Sequence, residues 1–183
     1  MMRSIKTGRG KKRRLADESG LAAVEFALLL PFLVLLYLGS VEIIQAILIQ
    51  RQTTLTATTV ANIVAQYTTI SASQQMPDIL NASTQILVPY PASNAVVVVS
   101  LVTIDNSGKA TVTWSQALNG AKRATGQSVT VPTALDVPNT VLILSETTYS
   151  YTPAVDFLNM GTKSLYASIY MVPRASTTIN LTS

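Results

Sequence analysis

The sequence predicts an α+β protein in which one long N-terminal helix precedes a small, mostly antiparallel β-sheet. Two observations lead to this fold class. Residues 26–41 are sixteen consecutive uncharged residues, and their apolar flanks extend the run to about 20 residues or more, enough to cross a hydrocarbon core about 30 Å thick. Beyond residue 93 the hydrophobic pattern changes to a period of two, in β-branched runs separated by Gly, Pro, Asn and Asp.

These patterns divide the chain into four segments. We predict a basic cytoplasmic leader (1–20), a transmembrane helix (21–50), an exported helical region (51–92) and a β-rich exported head (93–183). A short helix is expected to begin near Pro77 and to end at about residue 87, because proline fits the first turn of a helix.

Turn residues divide the head into strands. Asp105-Asn106-Ser107-Gly108 suits a turn with positive φ and predicts a β-hairpin around it. Residues 118–138 contain two Gly and two Pro and are predicted to form a long connection. The predicted strands are residues 96–104, 109–115, 141–152 and 165–172. Trp114, Tyr149 and Tyr151 are interpreted as packing residues of this sheet.

The positive charge of the chain is concentrated at its N-terminus. Residues 1–20 have a net charge of +5, whereas residues 21–183 have a net charge of −1. The densest cluster consists of Lys11, Lys12, Arg13 and Arg14. By the positive-inside rule, this cluster places the N-terminus in the cytoplasm and exports the head. The rest of the chain has no basic patch, so a nucleic-acid surface is not expected.

One carboxylate, Glu25, lies inside the apolar span. An acidic residue costs about 2.5–3.5 kcal/mol at the centre of a membrane helix and less near its end. Two interpretations are open: a helix-terminal acid stabilised by free N–H groups, or one half of an ion pair. If the chain were cut after Gly20, the new ammonium of Leu21 would lie one helical turn from Glu25. The next acid, Glu42, is interpreted as a solvated side chain where the helix leaves the membrane.

The run Gly20-Leu-Ala-Ala-Val-Glu-Phe-Ala-Leu-Leu-Leu-Pro31, behind a basic leader, resembles the N-terminus of the TadE-like pseudopilins of Flp/Tad-type type IV pilus systems. The resemblance extends to residues 39–42, to residues 148–153, and to Gly161 and Arg174. TadG-like relatives share the N-terminal region but carry a much larger exported domain.

This resemblance implies that Gly20 and Leu21 flank the cleavage site of a prepilin peptidase, an aspartyl protease of the inner membrane. Glu25 would be the glutamate needed at the fifth mature position, and Phe26 follows it where major Flp pilins usually carry Tyr. That difference favours a minor pseudopilin needed for pilus assembly and surface adhesion. The implied partners are the peptidase, other Tad pilus subunits, the assembly platform and inner-membrane lipid, with no cofactor and no nucleic acid.

Three alternatives remain beside this interpretation. A cleaved signal peptide would have an apolar core of about 7–15 residues, shorter than this one. An uncleaved single-pass protein could use its exported head to bind a partner or an envelope polymer. An exported hydrolase is the weakest alternative, because the chain has no Cys, no His and no recognised catalytic motif, and we expect no enzyme activity.

Overall fold

The computed structural model describes residues 18–153, 155–156, 159 and 161–183. These residues divide into two compact units, 18–40 and 41–183. The helices and strands, in chain order, are α1 (Glu18–Val64), β1 (Thr69–Ser71), α2 (Gln75–Thr84), β2 (Ala95–Ile104), β3 (Ala110–Leu118), β4 (Thr140–Tyr151), β5 (Lys163–Met171) and β6 (Asn180–Thr182). Two short 3₁₀ turns, Gln85–Leu87 and Ala92–Asn94, lie between α2 and β2. The predicted α+β class, with a long N-terminal helix and an antiparallel sheet, is confirmed.

The described part of the first unit is the beginning of α1. The helix continues through Pro31, although a proline ring removes the hydrogen bond to the carbonyl four residues earlier. Every residue from 20 to 37 is exposed, and large apolar side chains occur on all sides of the helix. From Gly20 to Val64, α1 is long and apolar enough to cross a membrane, judged by length and composition.

The second unit contains a four-stranded antiparallel sheet in the order β3-β2-β4-β5. The predicted hairpin is the β2–β3 pair, in which Ser100 lies opposite Ser115 and a bulge follows at Leu101 and Val102. The turn has the expected chemistry, since the Asp105 carboxylate accepts hydrogen bonds from the backbone N–H groups of residues 107 and 109, and Gly108 has a φ of +79°. The β-branched run of β2 therefore occupies the middle of the sheet, between β3 and β4.

The inner face of the sheet packs against helices. The C-terminal turns of α1 contribute Val60, Ala61 and Val64 to a buried core, and α2 adds side chains to the same cluster. Pro77 is the third residue of α2, as predicted, because the first turn of a helix does not need its N–H. Trp114, Tyr149 and Tyr151 are all buried, and the Trp114 indole donates a hydrogen bond to the carbonyl of Ile179 at 2.8 Å.

Threonines are frequent in the last turns of α1, where their helix propensity is weak. The hydroxyls of Thr53, Thr54, Thr56 and Thr58 each donate to the carbonyl four residues earlier, at 2.8–3.0 Å. Thr53 and Thr56 are fully buried, so these bonds satisfy hydroxyls that would otherwise be unpaired in the core.

A second, two-stranded sheet was not predicted. β1 pairs in parallel with β6, so that Ile70 lies opposite Leu181. Both strands have only three residues, too few for the period-two pattern to be recognised in the sequence.

The outer face of the four-stranded sheet is covered by the long connection between β3 and β4. Val129 and Val131 of this connection pack against a buried cluster that includes Leu142 and Leu144. A bidentate ion pair holds the connection to the sheet: the Arg123 guanidinium donates to both carboxylate oxygens of Glu146, at 2.7 and 2.8 Å. The same carboxylate accepts a hydrogen bond from the Tyr166 hydroxyl at 2.7 Å. Burial by itself raises the pKa of Glu146, but the hydrogen bonds from Arg123 and Tyr166 outweigh it and hold this pKa below the ordinary value of 4.5.

This ion pair makes the stability of the head depend on pH. A carboxyl group whose pKa is lower in the folded state than in the unfolded state stabilises the fold at any pH above its unfolded-state pKa. This stabilisation is lost as the pH falls through the folded-state pKa. We expect Glu146→Gln to lower the free energy of unfolding by about 1–3 kcal/mol at pH 7. The difference from the unaltered chain should shrink steadily once the pH falls below 4.5.

The measurement is denaturant unfolding of the detergent-solubilised full chain. Unfolding is monitored by the fluorescence of Trp114, the single tryptophan of the chain. Asp136→Asn is the control, because Asp136 is an exposed acid of the same connection and is not part of the ion pair. A difference between Glu146→Gln and the unaltered chain that stays constant from pH 7 to pH 3 would contradict the role given to the ion pair.

Candidate processing and assembly site

The predicted cleavage bond, between Gly20 and Leu21, lies in the first turn of α1, which begins at Glu18. The first four N–H groups of a helix have no partner within it, so the first turn unwinds at little cost. The space around Gly20 is open, because a Cβ atom added there would meet no described atom within 4 Å other than those of its chain neighbours and the backbone of its own helix. Within the described residues, no packed core surrounds this bond.

The residues that follow the bond form an apolar surface that the described chain does not cover. Leu21 is 62% exposed and Phe26 is 58% exposed, and the large side chains up to Tyr37 are similarly open. Soluble monomers rarely expose contiguous apolar surface of this extent. This surface fits a helix that is covered by lipid or by other helices, in agreement with its length and composition as a candidate membrane span.

Glu25 is the single charged residue of this surface between residues 20 and 41, and it is exposed. It lies one helical turn after Leu21, so the two residues share a face of α1. Among the described residues no hydrogen bond or ion pair to the Glu25 carboxylate is found. This geometry is compatible with both interpretations of Glu25, because the ammonium that would pair with it exists only after cleavage.

The structure does not describe the remaining predicted site residues. Lys11, Lys12, Arg13 and Arg14, which were assigned to membrane topology, lie outside the described residues, as does nearly all of the predicted leader. Their role stays a prediction.

The interpretation of Glu42 as a solvated acid was wrong. Glu42 is only 4% exposed and lies in the second unit. The Tyr151 hydroxyl lies 3.4 Å from the backbone carbonyl oxygen of Glu42 and 3.4 Å from Oε1 of Gln45. The pKa of Tyr151 is raised, first by burial and then by the negative charge of Glu42. Glu42 is thus a buried residue of the second unit. The sequence contained one relevant feature, the resemblance at residues 39–42, but nothing local that identified Tyr151 as the neighbour.

The ion pair of Arg123 and Glu146 was also missed. Glu146 is the single charge within β4 and lies on the same face of the strand as Leu142 and Leu144. An acid at such a position requires a cation nearby, and this could have been noticed in the sequence. The partner is 23 residues away in a loop, and its identity required the fold.

No group of three or more His, Cys, Asp or Glu residues that could hold a metal ion occurs in the part of the chain that the structure describes.

The fold and the exposed helix define a class of protein: a candidate single-span membrane anchor followed by an α+β head. Residues 20–62 match the family model of the TadE-like proteins, and the resemblance inferred from the sequence is thereby confirmed. The match begins at Gly20 and ends two residues before the end of α1. A TadE-like segment indicates a protein associated with Tad pili. Searches among curated proteins and among solved structures gave no match.

Proposed function

We propose that the protein is a minor pseudopilin of a Tad/Flp-type type IV pilus. In this proposal a prepilin peptidase cuts the chain after Gly20, and the processed subunit is needed for pilus assembly and surface adhesion. The observation that carries the proposal is the apolar surface of α1, exposed on every side, with one acid at the fifth position after Gly20. The TadE-like match from residue 20 onward supports it.

Cleavage would change both the charge and the location of the helix. The leader carries the +5 charge that holds the N-terminus at the cytoplasmic face of the inner membrane, with the head in the periplasm. Its removal leaves an apolar helix that can be extracted from lipid and packed against other pilus subunits. The Leu21 ammonium and the Glu25 carboxylate would then neutralise each other, within one subunit or between neighbours, and fix the axial register of the helices.

In this function the protein is a structural component and not an enzyme. Its partners would be the prepilin peptidase, the other pilus subunits, the assembly platform and the lipid of the inner membrane.

The mature N-terminus tests the proposal directly. Intact-mass measurement and N-terminal sequencing of the membrane and sheared-pilus fractions should find a species that begins at Leu21. An otherwise identical strain without the peptidase is the control and should contain only chain that retains the leader. Finding leader-retaining chain alone in the strain with active peptidase would support the uncleaved single-pass protein instead.

A further inference from the structure

Residues 174–182 run beside residues 65–72, the segment that follows α1. The two segments have the same direction, because β6 and β1 pair in parallel. Three backbone hydrogen bonds outside the strand ladder also join them, from N–H to carbonyl at 2.8–3.0 Å: Arg174 to Ala65, Asn180 to Thr68, and Ala72 to Thr182. The chain that leaves α1 is thus fixed to a stretch that is distant in sequence.

The two segments are joined at two places, with a loop between them. Residues 175–178 lie between the first and the second of these bonds, belong to no helix or strand, and are mostly exposed. The partner segment has only residues 66 and 67 there, so the longer side bulges outward. At the second place, β6 and β1 pair only with each other among the described residues. A two-stranded sheet of this length is marginal in water, so side-chain packing has to hold it.

Ile179 supplies most of that packing. Its side chain is 1% exposed and lies in the buried cluster that also contains Val64 of α1 and Ile70 of β1. Its backbone carbonyl accepts the hydrogen bond of the Trp114 indole, which links it to β3. Leu181 packs against the same cluster but is half-buried, and the other residues of 174–182 are exposed or half-buried.

The four-stranded sheet is held by many more contacts. Its strands have 9–12 residues, and the fully buried side chains of β2 and β4 extend along most of their length. Segments with few buried apolar contacts open at a lower free energy than the core elements of the same domain. Residues 174–182, with one fully buried side chain, are such a segment.

We propose that residues 174–182 form a latch, which opens as one unit with β1 while the four-stranded sheet stays folded. When the latch is closed, its hydrogen bonds fix the end of α1 to the sheet. When it is open, residues 65–72 lose these bonds, and the joint between α1 and the sheet becomes loose. The inference is independent of cleavage after Gly20, because the latch lies wholly within the second unit.

Hydrogen exchange of backbone amides tests this proposal in the detergent-solubilised full chain, with mass spectrometry of peptides that cover β1, β6 and β4. The amides of β1 and β6 should have matching protection, at least about tenfold lower than that of β4. Ile179→Ala weakens the closed latch and should lower the protection of β1 and β6 at least about tenfold further.

Val99→Ala is the matched control, because Val99 is a fully buried residue of the same cluster but belongs to β2. This substitution weakens the sheet whether the latch is open or closed. It should therefore lower the protection of β4 and leave that of β1 and β6 unchanged. In a head that opens only as a whole, Val99→Ala would lower the protection of all three strands by the same factor.

A disulfide can lock the latch. Thr69 and Asn180 are directly paired and both exposed, and the chain has no cysteine of its own. In the double variant Thr69→Cys/Asn180→Cys, oxidation should raise the protection of β1 and β6 at least about tenfold, and reduction should reverse this. This pair decides the matter if Ile179→Ala impairs folding, as judged from Trp114 fluorescence. Equal effects of Val99→Ala on all three strands, unequal protection of β1 and β6, or protection insensitive to the disulfide would overturn the proposal.

Discussion

Replacing Gly20 by residues of increasing size is expected to slow processing progressively without disturbing the fold. Added atoms at Gly20 meet no described neighbour, so the free energy of unfolding of the head should not change. A protease subsite shaped for glycine would in contrast be overpacked, at a cost of about 1–3 kcal/mol or more. Since 1.36 kcal/mol corresponds to tenfold in rate, Gly20→Val and Gly20→Trp should slow cleavage by about tenfold or more, and Gly20→Ala by less.

The measurement is the ratio of leader-retaining to processed chain after a pulse of synthesis, resolved by mass. Ala22→Val is the control, because it adds apolar bulk two residues later on an equally exposed part of the helix. Equal processing of Gly20→Trp and the unaltered chain would show that the cut, if it occurs, lies elsewhere.

Some of the fold could be predicted because its determinants are local. The Asp105–Gly108 turn depends on an acid that bonds the next backbone N–H groups and on a glycine with positive φ, both encoded within five residues. The strands β2 and β4 extend over ten and twelve residues, long enough for a β-branched composition to be distinguished from that of a helix. The apolar length of α1 was equally visible, because no charge interrupts residues 26–41.

The rest depends on residues that are distant in sequence. Tyr151 lies 109 residues from Glu42, and the burial of that acid follows from packing that no local pattern encodes. Arg123 and Glu146 are also distant in sequence, 23 residues apart. The composition of the loop that contains Arg123 predicted only a long connection, and not this contact. The candidate cleavage site differs from both: its residues are contiguous, so a motif could identify them, while the ammonium that would complete it is produced only by processing.

Glu25→Ala is expected to leave membrane insertion intact and to abolish pilus assembly. Removing an acid from an apolar span lowers the cost of insertion, so the amount of chain in the membrane should be unchanged or higher. After cleavage, however, the Leu21 ammonium would remain without a counter-ion in a helix bundle, and an uncompensated buried charge costs several kcal/mol. Pilus number per cell, counted by electron microscopy, should fall at least about tenfold.

A double-mutant cycle separates the ion pair from a helix-terminal role for Glu25. In the Gly20→Trp background little Leu21 ammonium forms, so Glu25→Ala only removes an unpaired acid and should make the helix harder to extract from the membrane. In the processed chain the same substitution also leaves the Leu21 ammonium unpaired, so the two effects of Glu25→Ala should differ. Detergent extraction of the unaltered chain, the two single variants and the double variant measures this coupling. If Glu25 only complements the helix N-terminus, its removal costs about 0.3–1 kcal/mol in either background, and the effects of the two substitutions add. Additive effects together with normal piliation of the Glu25→Ala strain would therefore reject the register role. Non-additive effects would tie the function of Glu25 to the cleavage of one peptide bond four residues before it.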